Sequence, residues 1–167
     1  VSTTPYALHA SSADLAAVVA ELRDRAEITD ALYRFGLGQD TKDPELFASA
    51  FTPDAELDFR PAAARWGGTP PVMSGRDTIV TTILAMFADR VNTTHQVTNP
   101  RISIDGDVAT MTALVEAQHL LTTDPSVHAL LKNPYELELR RDGDRWLISR
   151  MRIDNIWFTG DPSAIFA

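Results

Sequence analysis

The sequence predicts an α+β fold, with helices mostly preceding strands. Three observations carry that expectation. Apolar residues recur at helical spacing through the first part of the chain and again before Arg90, whereas strict alternation governs most of the second part. Turn signals at Asp105-Gly106, Thr122 to Ser126 and Asp142-Gly143 cut that second part into four strands, Asp142-Gly143 being a strong hairpin signal. Finally, 167 residues suit one core. We therefore divide the chain into an N-terminal arm, residues 1–11, and a single domain, residues 12–167.

Val1 to Ala10 mixes Ser, Thr, Pro and His without a period and reads as a loose arm, with His9 inert inside it. Ser11 or Ser12 is expected to cap a long helix, with Asp14 favourably placed in its first turn. Leu15, Val18, Leu22, Ala26, Thr29, Tyr33, Leu37 and Asp40 recur every three or four residues and are read as its core face. A carboxylate closing such a stripe is costly unless partnered. Asp40 is then either a cavity residue, a helix-terminal residue in water, or a cap for the next helix. Gly36 and Gly38 weaken the last turns and suggest a frayed end. A short helix comes next, with Asp43 as N-cap, Pro44 at its first position and Leu46, Phe47 and Phe51 turned inward. Thr52-Pro53-Asp54 stops it, and Ala55, Leu57 and Phe59 alternate as a first strand.

Arg60 to Ser74 is rich in proline, contains Gly67-Gly68 and Trp66, and reads as a long binding loop or lid. Trp66 either contacts a ligand or plugs the end of the core. Gly75 to Arg90 forms a third helix, with Ile79, Ile83, Leu84 and Phe87 at helical spacing. In the strands beyond it, residues two apart share a face. Ala109, Met111, Ala113, Val115, Ala117, His119 and Leu121 form one row, opposed by Thr110, Thr112, Glu116 and Gln118. Tyr135, Leu137 and Leu139 face in against Glu136, Glu138 and Arg140. Met151, Ile153, Asn155 and Trp157 oppose Arg150, Arg152 and Asp154 in the last strand. His95, in Thr93-Thr94-His95-Gln96-Val97, opens a strand. An apolar inner face carrying His95, His119, Tyr135 and Asn155 as isolated polar points has the makeup of a small-molecule pocket. Each of these also has a structural reading as a satisfied core residue, and Trp146 and Trp157 read as packing.

The formal charge of −8 and a pI near 4.8 argue against a basic nucleic-acid surface and disfavour an anionic membrane. With no cysteine, the chain has no disulfide framework, thiolate nucleophile or Cys-based metal site. No clustered His–carboxylate spacing calls for a metal, and no cofactor motif is present. The N-terminus lacks the basic start and apolar run of a signal peptide, and no stretch approaches a membrane span, so the expectation is a cytoplasmic protein.

The element order and a set of local marks resemble the SnoaL-like branch of the NTF2-like superfamily. The marks are Arg25-Ala26-Glu27-Ile28 leading to Leu32-Tyr33, Asp40, Phe51-Thr52-Pro53-Asp54-Ala55, the helix start at Gly75, Thr94-His95, and Arg141-Asp142-Gly143-Asp144-Arg145-Trp146. The resemblance covers roughly Ser12 to Phe158. It implies a cone: a curved antiparallel sheet wrapped around the long helix, with a pocket at the open end. Within the superfamily the arrangement is most similar to scytalone dehydratase and hexachlorocyclohexane dehydrochlorinase, which share an Asp–His dyad. Asp40 and His95 match its two members, the histidine as general base and the aspartate as its orienting partner. His119 lies close to a second histidine of the dehydratase, although an ungapped count places Gln118 there. The dehydratase's paired tyrosines are not clearly reproduced, which leaves the substrate open.

The resulting expectation is a cofactor-independent lyase or isomerase of dehydratase or cyclase type, acting on a small, largely apolar molecule. Asp40 and His95 are the catalytic candidates; His119, Tyr135, Asn155, Tyr33, Trp66 and Met151 are the substrate-binding candidates. Two alternatives stand beside it: an epoxide hydrolase of the limonene type, for which Arg101 and Asp154 are available, and a non-catalytic ligand-binding or oligomerisation domain. The resemblance also implies a homo-oligomer, dimer or trimer.

Overall fold

The computed structural model describes residues 6–8 and 10–166. His9 and residues 1–5 of the expected arm lie outside them. What is described of the arm is tied to the long helix: Arg25 Nη2 donates to the Ala7 carbonyl at 2.7 Å, and Ala10 N–H to Glu21 at 2.9 Å.

Helix α1 (Leu15–Asp40) is capped by Asp14 rather than Ser11 or Ser12, the Asp14 carboxylate accepting from Ala17 N–H at 3.0 Å. Its buried residues are Ile28, Ala31, Leu32, Arg34, Phe35, Gly36, Gly38 and Gln39, a face about one residue out of phase with the expected stripe. Leu15, Leu22, Tyr33 and Leu37 are exposed instead. Both faces of the helix carry apolar residues, so periodicity alone does not choose between them; the glycines do. A Cβ on Gly38 would lie 2.5 Å from the Phe47 backbone, and one on Gly36 would lie 3.1 Å from His95 Cβ. The glycines therefore admit close neighbours, and the helix runs unfrayed to Asp40.

Helix α2 (Pro44–Ala48) forms as expected, Asp43 Oδ1 accepting from Glu45 and Leu46 N–H, both at 3.0 Å. Phe47 and Phe51 are fully buried. Strand β1 (Phe51–Asp58) already includes Thr52-Pro53-Asp54 and ends before Phe59. In place of the expected loop, the next segment holds a short helix α3 (Arg60–Ala63), a 3₁₀ turn over Ala64–Trp66 and a two-residue strand β2 (Met73–Ser74). Pro61 sits in the first turn of α3, where its missing N–H costs nothing. Helix α4 (Arg76–Phe87) begins after Gly75, whose φ of 89° suits glycine.

Strands β3 (Val91–Asp105), β4 (Val108–Leu121), β5 (His128–Asp142) and β6 (Arg145–Ile153) form an antiparallel meander. A further strand, β7 (Trp157–Gly160), and a last helix, α5 (Pro162–Ile165), complete the order. The sheet runs β2-β1-β6-β5-β4-β3, with β1 parallel to β6 and β7 pairing with β5 beyond the end of β6. It curls around α1, which touches both β3 and β6. The expected alternation holds: Ala109 to His119 at every second position, and Tyr135, Leu137 and Leu139, are buried. The expected last strand is broken at 154–156, so Trp157 belongs to β7 and is exposed.

Candidate active site

Asp40, at the last turn of α1, meets His95 on β3. Asp40 Oδ1 lies 2.7 Å from His95 Nδ1 and accepts from Thr93 Oγ1 at 2.8 Å; Asp40 Oδ2 accepts from His95 N–H at 2.8 Å. The His95 side chain is 4% exposed and that of Asp40 17%. Burial pushes the Asp40 carboxyl up, but the bonds and charge from His95 and the bond from Thr93 outweigh it and hold the group below its ordinary value. With Nδ1 engaged, Nε2 is the ring nitrogen left for the cavity that His95 lines.

That cavity has a volume of about 290 Å³, room for about ten waters, and lies between α1, α4 and the inner sheet face. Phe35, Phe59, Met73, Met86 and Phe87 are among the apolar residues of its wall, and Gln39, His95, His119, Asn133 and Tyr135 supply polar points; among the described residues no Lys, Arg, Asp or Glu lines it. Along the wall Trp66 stacks on Phe166 with centroids 5.6 Å apart and planes 20° apart. Arg90 holds that tail by donating to the Ala164 carbonyl at 3.2 Å and to the Ile165 carbonyl. Among the described residues no group of three His, Asp or Glu is placed to hold a metal, and no helix is long and apolar enough to cross a membrane.

His119 lines the cavity and Gln118 does not. Its ring centroid is 5.8 Å from that of His95, and its Nδ1 is buried without a hydrogen-bond partner. Burial, with the nearby His95 charge, pushes its pKa down to about 3, so it is a neutral ring at working pH. Tyr135 and Trp66 also line the wall. Tyr33, Met151 and Asn155 do not, and each departs from expectation for its own reason. Tyr33 is on the outer side of α1, 51% exposed. Met151 is fully buried in the core, while Ile153, two residues on, reaches the cavity. Asn155 sits behind the wall, its Nδ2 donating to Asn133 Oδ1 at 2.9 Å. Sequence reasoning missed Asn133 and Gln39. Extending the inward row of Tyr135 back by two residues points to Asn133; Gln39 needed the correct phase of α1. Arg101 lies over the Tyr6 ring at 4.6 Å, and Asp154 pairs with Arg65 at 3.7 Å. Neither lines the cavity, so the Arg101 and Asp154 available to an epoxide hydrolase are not gathered around Asp40.

The SnoaL-like domain family matches residues 20–152. Terrestric acid biosynthesis cluster protein E of Penicillium crustosum is 35% identical over 147 residues, covering 84% of this chain and 88% of that protein. Among solved structures, hexachlorocyclohexane dehydrochlorinase LinA-type3 from Novosphingobium barchaimii superposes with a TM-score of 0.71 at 20% identity, over 87% of this chain and 95% of that one. A candidate scytalone dehydratase from Novosphingobium aromaticivorans gives 0.73 at 19% identity, over 86% and 91%. At such identities these structures speak to the fold.

Proposed function

The chain belongs to the SnoaL-like family, and from that premise we propose that it is a cofactor-independent lyase or isomerase that removes a proton from a small, uncharged organic molecule. The observation that carries the reading is the 2.7 Å contact between Asp40 and His95 Nδ1, with His95 forming part of the wall of an otherwise apolar cavity. A histidine accepts a proton at one nitrogen most readily when the other donates to a fixed carboxylate. Asp40 is such an acceptor: its own carboxyl stays ionised and meets the positive charge that develops on the ring. Thr93 and the His95 N–H hold the carboxylate in place.

The absence of charged side chains from the wall favours a neutral substrate, because a carboxylate or phosphate would enter without a counter-ion. The relative from a biosynthesis cluster and the structural neighbours named for loss of water or of HCl fit the same chemistry: a proton leaves a carbon, and the electron pair forms a double bond as a leaving group departs or the bond migrates. A pure ligand carrier has no need of an acid–base pair in an apolar pocket.

The test is hydrogen exchange. The protein is incubated in D₂O with small neutral aryl ketones such as 1-indanone, and the α-CH₂ signal is followed by NMR. We expect exchange above the buffer rate, lost in His95→Ala and in Asp40→Asn. A ketone bound in the cavity but exchanged no faster than in buffer would count for the carrier reading.

A further inference from the structure

The last turns of α1 supply the part of the wall that adjoins His95. Gly36, Gln39 and Asp40 stand three and four residues apart and share one side of the helix. Gly36 brings that side against the histidine, whose Cβ is 3.1 Å from where a Cβ on the glycine would lie, and Asp40 meets its ring at 2.7 Å. Gln39, placed between them, is 4% exposed and lines the cavity with Phe35 and His95. Its Nε2 donates to the Phe35 carbonyl at 3.2 Å.

A backbone carbonyl only accepts, so the Gln39 NH₂ has to face Phe35, and a flipped amide would set oxygen against oxygen. Gln39 Oε1 is thereby turned the other way. Among the described residues no donor reaches it. Yet it is not one of the side-chain polar atoms sealed in without a partner, which are Glu27 Oε2, Thr52 Oγ1, His119 Nδ1 and Asn155 Oδ1. It is therefore open, and what it opens to is the cavity that Gln39 lines. Asn133, the amide on the sheet side of the wall, differs: its oxygen is taken by Asn155 Nδ2 at 2.9 Å. An open acceptor selects what enters. An apolar group packed against it strips its water and leaves it unpaired, whereas a hydroxyl pairs with it.

We propose that Gln39 is a specificity-determining residue whose Oε1 accepts a hydrogen bond from a hydroxyl of the substrate, so that the site takes neutral molecules carrying an O–H donor as well as the C–H that His95 deprotonates. The inference rests on the proton-abstraction reading above and adds the substrate class to it. Gln39 and His95 enter the wall from neighbouring positions, so one molecule can present its C–H to Nε2 and its O–H to Oε1 together. The hydroxyl is an anchor and not the leaving group. Loss of a hydroxyl as water needs a proton delivered to its oxygen, and the Gln39 oxygen has none to give. By accepting the hydroxyl proton it adds electron density to that oxygen and so holds it on carbon. The anchor stays bonded while the C–H bond breaks, and its work is to fix which carbon stands before the base.

The probes are 4-, 5- and 6-hydroxy-1-indanone, each set against the methyl-1-indanone substituted at the same carbon, so that size is matched and the donor differs. Dissociation constants are measured by calorimetry on the full chain near pH 6.5, where a phenol keeps its proton, beside α-hydrogen exchange of the same ketones in D₂O. In the wild type at least one hydroxy isomer should bind roughly tenfold more tightly than its methyl counterpart, the worth of one hydrogen bond in place of an unpaired acceptor. Gln39→Met keeps the volume and removes the acceptor, and should bring that pair within about twofold of each other. A role in packing alone would weaken both members of the pair alike and keep their ratio. Should Gln39→Met not fold, Gln39→Leu makes the same test. A wild type in which no hydroxy isomer outbinds its methyl counterpart overturns the proposal, as does a hydroxyl preference that survives in folded Gln39→Met or Gln39→Leu. The two readings part cleanly: a Gln39-dependent hydroxyl preference without exchange sinks proton abstraction and keeps the acceptor, whereas His95-dependent exchange without that preference sinks the acceptor alone.

Discussion

Of the three aspartates of helix α1, Asp24 and Asp40 are the more enclosed, and their surroundings differ in one respect. Asp24 accepts from Arg141 Nη1 at 2.6 Å, Arg141 Nη2 at 2.7 Å and Trp146 Nε1 at 3.0 Å. Arg141 in turn gives its Nε to Asp107 at 2.8 Å and lies 4.5 Å over the Trp146 ring. Asp40 also accepts three bonds, from Thr93 and twice from His95. Both carboxyls lie below their ordinary value: Asp24 mainly through the Arg141 bond, Asp40 against its own burial, through the His95 and Thr93 bonds. The partner makes the difference. A guanidinium with every side spoken for is a permanent cation and a fastener. An imidazole beside a cavity keeps one nitrogen unspent for a ligand there. The same kind of carboxylate thus fastens the middle of the helix to the sheet at Asp24 and, at Asp40 on its C-terminal end, meets the ring of a cavity residue.

The sharpest way to break this comparison is to remove both partnerships. His95→Ala is expected to lower ketone exchange by roughly 10²–10⁴, the usual worth of a positioned general base, and Asp40→Asn nearly as much. Asp24→Asn should leave exchange within about twofold while costing about 1–3 kcal/mol of stability, since it weakens a charge-assisted network. Chemical denaturation and NMR exchange, measured on the same samples well below the melting temperature, separate the two. If Asp24→Asn slowed exchange as far as Asp40→Asn, the division between fastener and site would be wrong.

Two glycines near Asp40 sharpen it further. Gly38→Ala places a methyl 2.5 Å from the Phe47 backbone and should cost about 1–3 kcal/mol through overpacking, net of the better helix propensity of alanine. Gly36→Ala meets only the His95 Cβ, at 3.1 Å, so the ring yields by a few tenths of an ångström. Its stability should stay within about 1 kcal/mol of wild type, while exchange falls roughly tenfold, because displacing a base from its partner is felt in the rate. Equal exchange rates in Gly36→Ala and wild type would show that the dyad tolerates misplacement.

The legibility of each region tracks the strength of its local signal. Strand alternation locates His119 and Tyr135 on the inner face, because a two-residue period leaves one alternative and the charged row from Glu136 to Arg140 excludes it. The Asp43-Pro44 cap is equally plain. Helix α1 reads one residue out of phase, since Leu15, Leu22, Tyr33 and Leu37 form an apolar stripe as regular as the buried one. Only the close approach of Phe47 and His95 at Gly38 and Gly36 selects the other face, and that is a tertiary fact. Even so, Asp40 and His95 come out paired, because Asp40 ends the helix at the edge between the two faces. Asn155 reads as lining the cavity when alternation is carried past Ile153, where β6 stops. A strand break that buries an amide leaves no mark in a hydrophobicity pattern.

The smallest expected effect concerns the second histidine and distinguishes a neutral ring from a charged one. Burial, which disfavours the charged form, pushes the His119 pKa down to about 3 in the folded chain from an ordinary value of 6.5. Between those values the unfolded chain binds a proton that the folded chain refuses. Stability therefore rises with pH across that window and is lost as pH falls through it. From pH 7 to pH 5.5 the loss due to His119 should be roughly 1 kcal/mol, given about 1.4 kcal/mol per unit once the unfolded group is mostly protonated. His119→Gln, which keeps size and hydrogen bonding but does not titrate, should flatten this limb. Asp40 does not interfere, because its carboxyl lies below its ordinary value of 3.8 and contributes its own loss only at lower pH. His95 retains its Asp40 partner in both proteins, so the difference between their urea-denaturation curves at pH 7 and 5.5 isolates His119. Parallel pH dependence in variant and wild type would mean that the buried ring, 5.8 Å from His95, takes up a proton in the folded chain as readily as in the unfolded one.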